Sequence, residues 1–124
     1  MKALFAAMFA DGLFTHAPVF EEATAGEQLY VALVDGAIAA FASVWEPDRF
    51  IHFLYVSPSY RRKKLASALI SSLAARCGGQ LTLKCLVKNE AAMAFYRSTG
   101  WETVETGSSE DGAYALLRYP ADAE

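Results

Sequence analysis

The chain has 124 residues, of which 54% are hydrophobic and 20% are charged, and its formal net charge is −3 at pH 7. This composition excludes a disordered chain and fits one domain with one core, which we assign to residues 1–124. The acidic balance argues against a nucleic-acid partner, because phosphate contacts need cations spread over a face. Apolar runs stay short of the roughly 20 residues of a membrane span, so we expect no membrane partner.

Cysteine use and the start of the chain predict where the protein resides. Cys77 and Cys85 have neither C-x-x-C spacing nor the spacing of a disulfide framework, which favours a reducing cytoplasm. The apolar residues 1–10 are too short for a signal peptide, and Asp11-Gly12 is a poor cleavage context. We therefore predict a cytoplasmic protein.

The first half of the chain predicts a short helix followed by a three-stranded meander. Residues 2–10 are rich in good helix formers, and residues 13–28 are irregular. Asp35-Gly36 is a hairpin signal between two β-prone runs. The predicted strands are residues 29–34, 37–45 and 50–56.

In the second half, two helices alternate with three strands. A helical apolar period runs from Leu65 to about Cys77, and alternation predicts a strand over 80–87. Asn89 can cap a helix over 90–99, with Gly100 at its C′ position. A final hairpin is expected over 101–106 and 113–119, turning around residues 107–112.

This order of elements predicts an α/β (α+β) fold with a mixed, mostly antiparallel sheet. The strand–helix–strand unit over residues 50–87 should form a right-handed crossover, which makes its two strands parallel. We expect helices on both faces of the sheet.

A cationic turn between the third strand and the following helix indicates an anion site. Arg61, Arg62, Lys63 and Lys64 supply four of the eleven Lys and Arg residues, and the helix begins directly after them. Backbone N–H groups at a helix start lack intrahelical partners, and the helix dipole favours negative charge there. The turn therefore predicts a pocket for a phosphorylated ligand, with a solvated basic face or a basic localisation or nucleic-acid patch as the alternatives.

Two segments carry a resemblance to a known family. They are Leu54-Tyr55-Val56-Ser57-Pro58-x-Tyr60-Arg61-x-Lys63-x-Leu65-Ala66-Ser67-Ala68-Leu69 and Asn89-x-x-Ala92-x-x-Phe95-Tyr96-x-x-x-Gly100-Trp101. With the element order, they resemble the GNAT superfamily of acyl-CoA-dependent N-acetyltransferases over about residues 29–119. Arg61 and Ala66 match the ends of that family's cofactor motif, a Gln or Arg followed by x-x-Gly-x-Gly/Ala. Lys64 stands where the family usually has Gly, and Arg62 where it often has Gly.

The resemblance implies a site for acetyl-CoA as acyl donor. In the family, two parallel central strands splay apart, the pantetheine arm lies against the first of them, and a backbone N–H there can stabilise the thioester oxyanion. The turn would hold the pyrophosphate, and Asn89 would hydrogen-bond the cofactor arm. Core packing is the alternative role of Leu54 and Val56, and helix capping that of Asn89. The implied cofactor-binding residues are Leu54, Tyr55, Val56, Arg61, Arg62, Lys63, Lys64, Leu65, Ala66, Ser67, Asn89, Ala92 and Phe95.

Tyr96 and His52 are the candidate catalytic residues. By resemblance, the Tyr96 phenol would protonate the departing thiolate, with a packed, hydrogen-bonded tyrosine as the alternative. His52 stands where relatives place a Glu or another polar group, and it can take the proton of the amine. A structural role is open for His52, and Glu46, Tyr55 or a water chain are alternative bases. Direct attack is expected because no Cys or Ser sits in a nucleophile constellation, and no cluster has metal-ligand spacing.

The expected activity is transfer of an acetyl group to a primary amine of a small molecule or peptide. The alternatives are an acyl-CoA-binding module without efficient transfer and a nucleic-acid or interaction protein that uses the basic turn. The short region before residue 29 leaves the acceptor open. Its apolar side chains could be buried in a homodimer or packed on the sheet of the same chain; they are Phe5, Phe9, Phe14 and Phe20.

Overall fold

Six strands and two α-helices make up the described part of the chain, which comprises residues 24–61, 64–78 and 80–120 of a computed structural model. The strands are β1 (Gln28–Val34), β2 (Ala37–Trp45), β3 (Phe50–Val56), β4 (Leu81–Leu86), β5 (Glu102–Ser109) and β6 (Gly112–Tyr119). The helices are α1 (Leu65–Cys77) and α2 (Glu90–Ser98), and single 3₁₀ turns lie at Glu46–Asp48 and Pro58–Tyr60.

The meander follows from its turn residues. Asp35 and Gly36 both have positive φ, 50° and 81°, as a two-residue hairpin turn of the primed type requires. Glu46–Asp48 forms a 3₁₀ turn with Pro47 in its first positions, and Arg49 ends it with φ 52°. β1, β2 and β3 consequently pair antiparallel, as the sequence predicted.

The strands form one mixed sheet in the order β1-β2-β3-β4-β6-β5. β3 and β4 are parallel and are linked through α1, whereas every other neighbouring pair is antiparallel. The predicted mixed, mostly antiparallel sheet with one parallel pair is therefore confirmed.

The main core lies between one face of the sheet and both described helices. Alternate residues of the strands point to this face, and Leu69, Ile70 and Leu73 of α1 pack against them. Met93 and Tyr96 of α2 join the same cluster. Both described helices therefore lie on one face of the sheet. The helix expected over residues 2–10 lies outside the described residues, so helices on both faces stay a prediction. The sheet residues of the cluster are Ala40, Ala42, Val44, Ile51, Leu81, Leu83, Cys85, Ala115 and Leu117.

The turn of the last hairpin lies within the predicted range but is shorter than the sequence indicates. β5 continues to Ser109, and the turn consists of Glu110 and Asp111, where the prediction placed it around residues 107–112. Gly107 lies inside β5 because the Tyr114 side chain crosses over it: a Cβ at Gly107 would sit 2.5 Å from the Tyr114 hydroxyl oxygen. This glycine marks a close side-chain approach and not a turn.

Candidate active site

The two parallel strands diverge soon after they meet. β3 and β4 pair only at Phe50↔Thr82 and Ile51↔Leu83, and a bond from the Thr82 N–H to the Arg49 carbonyl (3.0 Å) closes that end. No further β3–β4 pairing exists among the described residues, although β3 continues to Val56. Backbone groups on the facing edges are thus left for a ligand or for water, as buried polar groups require.

A cleft of about 110 Å³ occupies this gap. Pockets that enclose a whole drug-sized ligand measure roughly 300–1,000 Å³, so the cleft can hold the reacting end of a long ligand but not all of it. Residues from β3, β4 and α2 line it: Ile51, His52, Leu54, Leu83, Lys84, Cys85, Leu86, Asn89, Ala92 and Tyr96. The two predicted catalytic residues, His52 and Tyr96, therefore line the same cleft.

A β-bulge places His52 at the cleft. Ser43 of β2 pairs with Phe53, and the next residue, Val44, pairs with Ile51, so His52 is the extra residue of β3. Bulges are common beside active sites because they re-aim a side chain. The imidazole stacks on the Phe53 ring with 4.0 Å between ring centroids.

Glu27 fixes the orientation of His52. The Nδ1 atom of His52 lies 2.8 Å from Oε2 of Glu27, and the hydroxyl of Ser43 donates a hydrogen bond to the other carboxylate oxygen, Oε1. The Glu27 side chain is only 9% exposed, whereas that of His52 is 42% exposed. The sequence analysis missed Glu27, because its partner is 25 residues away and no local pattern connects the two.

Tyr96 lies on the helix face of the cleft and is buried. Its ring meets the rings of Phe95 and Trp101 edge to face, with centroids 5.3 and 5.2 Å away. Burial raises the pKa of the Tyr96 phenol well above its ordinary value, and nearby Cys85 adds to that effect. The Tyr96 hydroxyl therefore stays protonated at neutral pH, as a proton donor must.

Cys85 is a buried thiol in the same cleft. Burial raises its pKa to about 11, and its Sγ lies 3.6 Å from the Leu86 carbonyl oxygen, to which it donates. The thiolate is the nucleophilic form, so at neutral pH Cys85 is a poor nucleophile.

Asn89 both caps α2 and lines the cleft. Its side-chain Oδ1 accepts a hydrogen bond from the Ala92 N–H at 3.3 Å, which satisfies one free donor of the helix start. The capping role that the sequence predicted is present, and the side chain is also positioned beside the space for a ligand.

The two roles of Asn89 can be separated by substitution. Asn89→Ala should lower the free energy of unfolding by about 1 kcal/mol, because the cap is lost, whereas Asn89→Ser should retain most of it. We expect both variants to bind acetyl-CoA more weakly, since neither has the amide. Urea denaturation and acetyl-CoA titration measure the two effects. Normal acetyl-CoA affinity in Asn89→Ser would restrict Asn89 to its capping role.

The start of α1 presents free backbone donors. The N-cap residue Lys64 makes no side-chain cap, the first turn contains no acidic residue, and the helix opens with a bond from the Ala68 N–H to the Lys64 carbonyl (3.0 Å). The first N–H groups of α1, on Leu65, Ala66 and Ser67, accordingly have no intrahelical acceptor. Such a helix start attracts an anion.

The backbone of Lys64 explains the departure from the family pattern. Lys64 has φ 61° and ψ 23°, the left-handed conformation that glycine adopts most easily. The chain therefore keeps the backbone turn that Gly would give, and it adds a cation at the helix start.

Of the remaining residues predicted to bind the cofactor, some line the cleft and others lie outside it. Arg61 donates from Nε to the Val56 carbonyl (3.1 Å), and its guanidinium lies 5.3 Å from the centroid of the Tyr55 ring. Tyr55 is buried, and Phe95 packs against the core outside the cleft lining. Leu54 and Ala92 do line the cleft. Arg62 and Lys63 lie outside the described residues.

Residues 24–61, 64–78 and 80–120 contain no group of three His, Cys, Asp or Glu side chains able to hold a metal ion. Over the same ranges, no helix combines the length and the apolar character needed to cross a membrane.

Comparison with protein families identifies the family of this chain. The sequence profile described as the acetyltransferase (GNAT) family matches residues 2–101, most of the chain. The chain belongs to this family. A comparison with curated proteins gives no significant match.

Solved structures share the GNAT fold at low sequence identity. Ard1 from Thermoplasma volcanium is 17% identical with a TM-score of 0.75, and the match covers 98% of this chain and 90% of that one. Arabidopsis thaliana Naa50, in complex with the bisubstrate analogue CoA-Ac-MVNAL, is 18% identical with a TM-score of 0.68 and coverages of 94% and 91%. A putative streptothricin acetyltransferase from Bacillus anthracis, in complex with acetyl coenzyme A, is 17% identical with a TM-score of 0.70 and coverages of 86% and 70%.

Proposed function

We propose that the protein is an acetyl-CoA-dependent N-acetyltransferase that acts on a primary amine by direct attack. The open gap between β3 and β4 carries the proposal, because it exposes unpaired backbone edges beside a protonated tyrosine. Tyr96 and Cys85 line the gap on the helix face of the sheet, and His52 lines it as well. Proton donor and proton acceptor thus border one space.

The residues at the end of β3 fit the acyl donor. The pantetheine arm of acetyl-CoA is long and carries amide groups, which can hydrogen-bond the two unpaired strand edges on either side of the gap. Its pyrophosphate matches the uncapped start of α1 with Arg61 and Lys64 close by in the chain. When bound, acetyl-CoA supplies the activated acetyl group, and the protein supplies orientation and proton transfer.

The residues in the cleft can carry out both proton transfers of the reaction. The neutral amine attacks the thioester carbonyl, His52 takes the amine proton, and the Tyr96 hydroxyl gives a proton to the leaving thiolate. Because Cys85 is protonated at neutral pH, the acetyl group passes directly to the amine without an acyl-cysteine intermediate.

The acetyl-CoA site is tested by replacing one arginine just before α1 and, as a control, one in its last turn. We expect acetyl-CoA to bind saturably in calorimetry, and Arg61→Ala to weaken binding roughly tenfold to a hundredfold through loss of a charge-assisted contact. Arg76→Ala is the matched control, since Arg76 lies in the last turn and stacks on the Tyr30 ring. Absence of binding at millimolar acetyl-CoA would reject the proposal.

The acceptor is tested by release of the CoA thiol in the presence of amines. The solved relatives include one with a peptide-containing bisubstrate analogue and one described as a putative streptothricin acetyltransferase, so the panel needs peptide and small-molecule amines. Binding of acetyl-CoA without thiol release for any amine would favour the binding-module alternative.

A cytoplasmic location and a homodimer belong to the same proposal. Sedimentation velocity tests the dimer.

A further inference from the structure

The carboxylate that contacts His52 has partners of its own. Glu27 is nearly buried, and both of its carboxylate oxygens are engaged, Oε2 with His52 Nδ1 and Oε1 with the Ser43 hydroxyl. Ser43 itself is fully buried on β2. A buried carboxylate needs such partners, and their fixed positions fix the carboxylate in turn.

We infer that Glu27 is a positioning residue that holds His52 in the tautomer and orientation of a general base, an inference that rests on the proposed acetyl transfer. The carboxylate accepts the Nδ1 proton of the imidazole. The proton of neutral His52 is thereby kept on Nδ1, which leaves the Nε2 lone pair free for a proton from the amine.

The bulge and Glu27 together set the position of His52. The bulge makes His52 the unpaired residue of β3, and the next two residues on either side keep their places in the sheet. Glu27 directly precedes β1, where a turn with a bond from the Glu27 N–H to the Thr24 carbonyl (3.0 Å) sets its position. After proton transfer, the carboxylate also stabilises the imidazolium.

Ser43 makes the carboxylate hard to replace by an amide. In Glu27→Gln, the hydroxyl of Ser43 donates to the amide oxygen, which turns the amide NH₂ toward His52 Nδ1. Nδ1 must then accept, so the ring proton moves to Nε2 and blocks the base. The isosteric change should therefore switch the tautomer without disturbing the packing.

Kinetics test the role in the reaction. We expect Glu27→Gln to lower kcat about a hundredfold with the KM for acetyl-CoA unchanged, and His52→Ala to do the same. The double variant should be no slower than either single variant, since the two residues act as one unit. Glu102→Gln is the control: its carboxylate also accepts a hydrogen bond, from Nε of Arg118 at 2.9 Å, but outside the cleft lining. A Glu27→Gln variant as active as the wild type would overturn the inference and leave the proposed function standing.

Nitrogen NMR tests the positioning independently of turnover. The chain has two histidines, so a His16→Gln background leaves His52 as the single imidazole signal. We expect the Nδ1–H tautomer in that background and the Nε2–H tautomer after Glu27→Gln. The Nε2–H tautomer in both proteins would overturn the inference. Failure of acetyl transfer itself would appear earlier, as a wild-type protein that releases no thiol with any amine.

Discussion

Replacing Tyr96 with Phe should lower kcat for acetyl transfer by about a hundredfold, with acetyl-CoA affinity retained. The change removes only the hydroxyl, and the edge-to-face contacts of the ring with Phe95 and Trp101 remain. Without a proton donor, the thiolate leaves unprotonated, which raises the barrier of the chemical step alone. Steady-state kinetics with a good amine acceptor and calorimetry with acetyl-CoA measure the two quantities.

The control for this variant is Tyr119→Phe. Tyr119 also contacts Trp101, at 5.2 Å between ring centroids, but it lies outside the cleft lining. Because burial raises the pKa of Tyr96 above its ordinary value of 10.0, the wild-type rate should not fall between pH 8 and pH 10 through ionisation of this phenol. Equal kcat values for Tyr96→Phe and the wild type would remove Tyr96 from the mechanism.

The largest expected effect on stability comes from Leu73→Ala. Leu73 is fully buried in α1, where it packs with Leu69 and Ile70 against the sheet. Removing a buried leucine side chain loses its transfer free energy and leaves a cavity, so the free energy of unfolding should fall by about 2–5 kcal/mol. Urea denaturation measures this loss.

Ser72→Ala provides the matched control on the same helix. Ser72 is exposed, and alanine is a good helix former, so its free energy of unfolding should stay within about 0.5 kcal/mol of the wild type. A loss below about 1 kcal/mol for Leu73→Ala would contradict the packing of α1 against the sheet.

Features set by neighbouring residues could be predicted from the sequence. The bounds of β2 and β3 match the prediction because Asp35-Gly36 and Glu46-Pro47-Asp48 end apolar runs with unambiguous turn chemistry. α2 begins where Asn89 caps it, and Gly100 follows it with φ 101°. The family resemblance implied both His52 and Tyr96 as site residues, and both line the cleft.

Features set by distant residues could not be predicted. Glycine is common in turns, and the prediction placed Gly107 in one, but its role here depends on Tyr114 on the opposite strand. The bulge at His52 depends on the register between β2 and β3. The contact of His52 with Glu27 depends on where the residue before β1 lies relative to β3. Period and propensity describe neither register nor contacts between distant side chains.

The sheet order has a consequence for synthesis of the chain on the ribosome. β4 shares two residue pairs with β3 but six with β6, and β6 is the last described strand to be made. Until residues 112–119 emerge, the nascent chain carries β4 with one edge open, and open edges invite pairing with other chains. A product that stops at residue 101, where the family match ends, would lack that partner strand altogether, so early release should yield aggregates rather than a smaller enzyme.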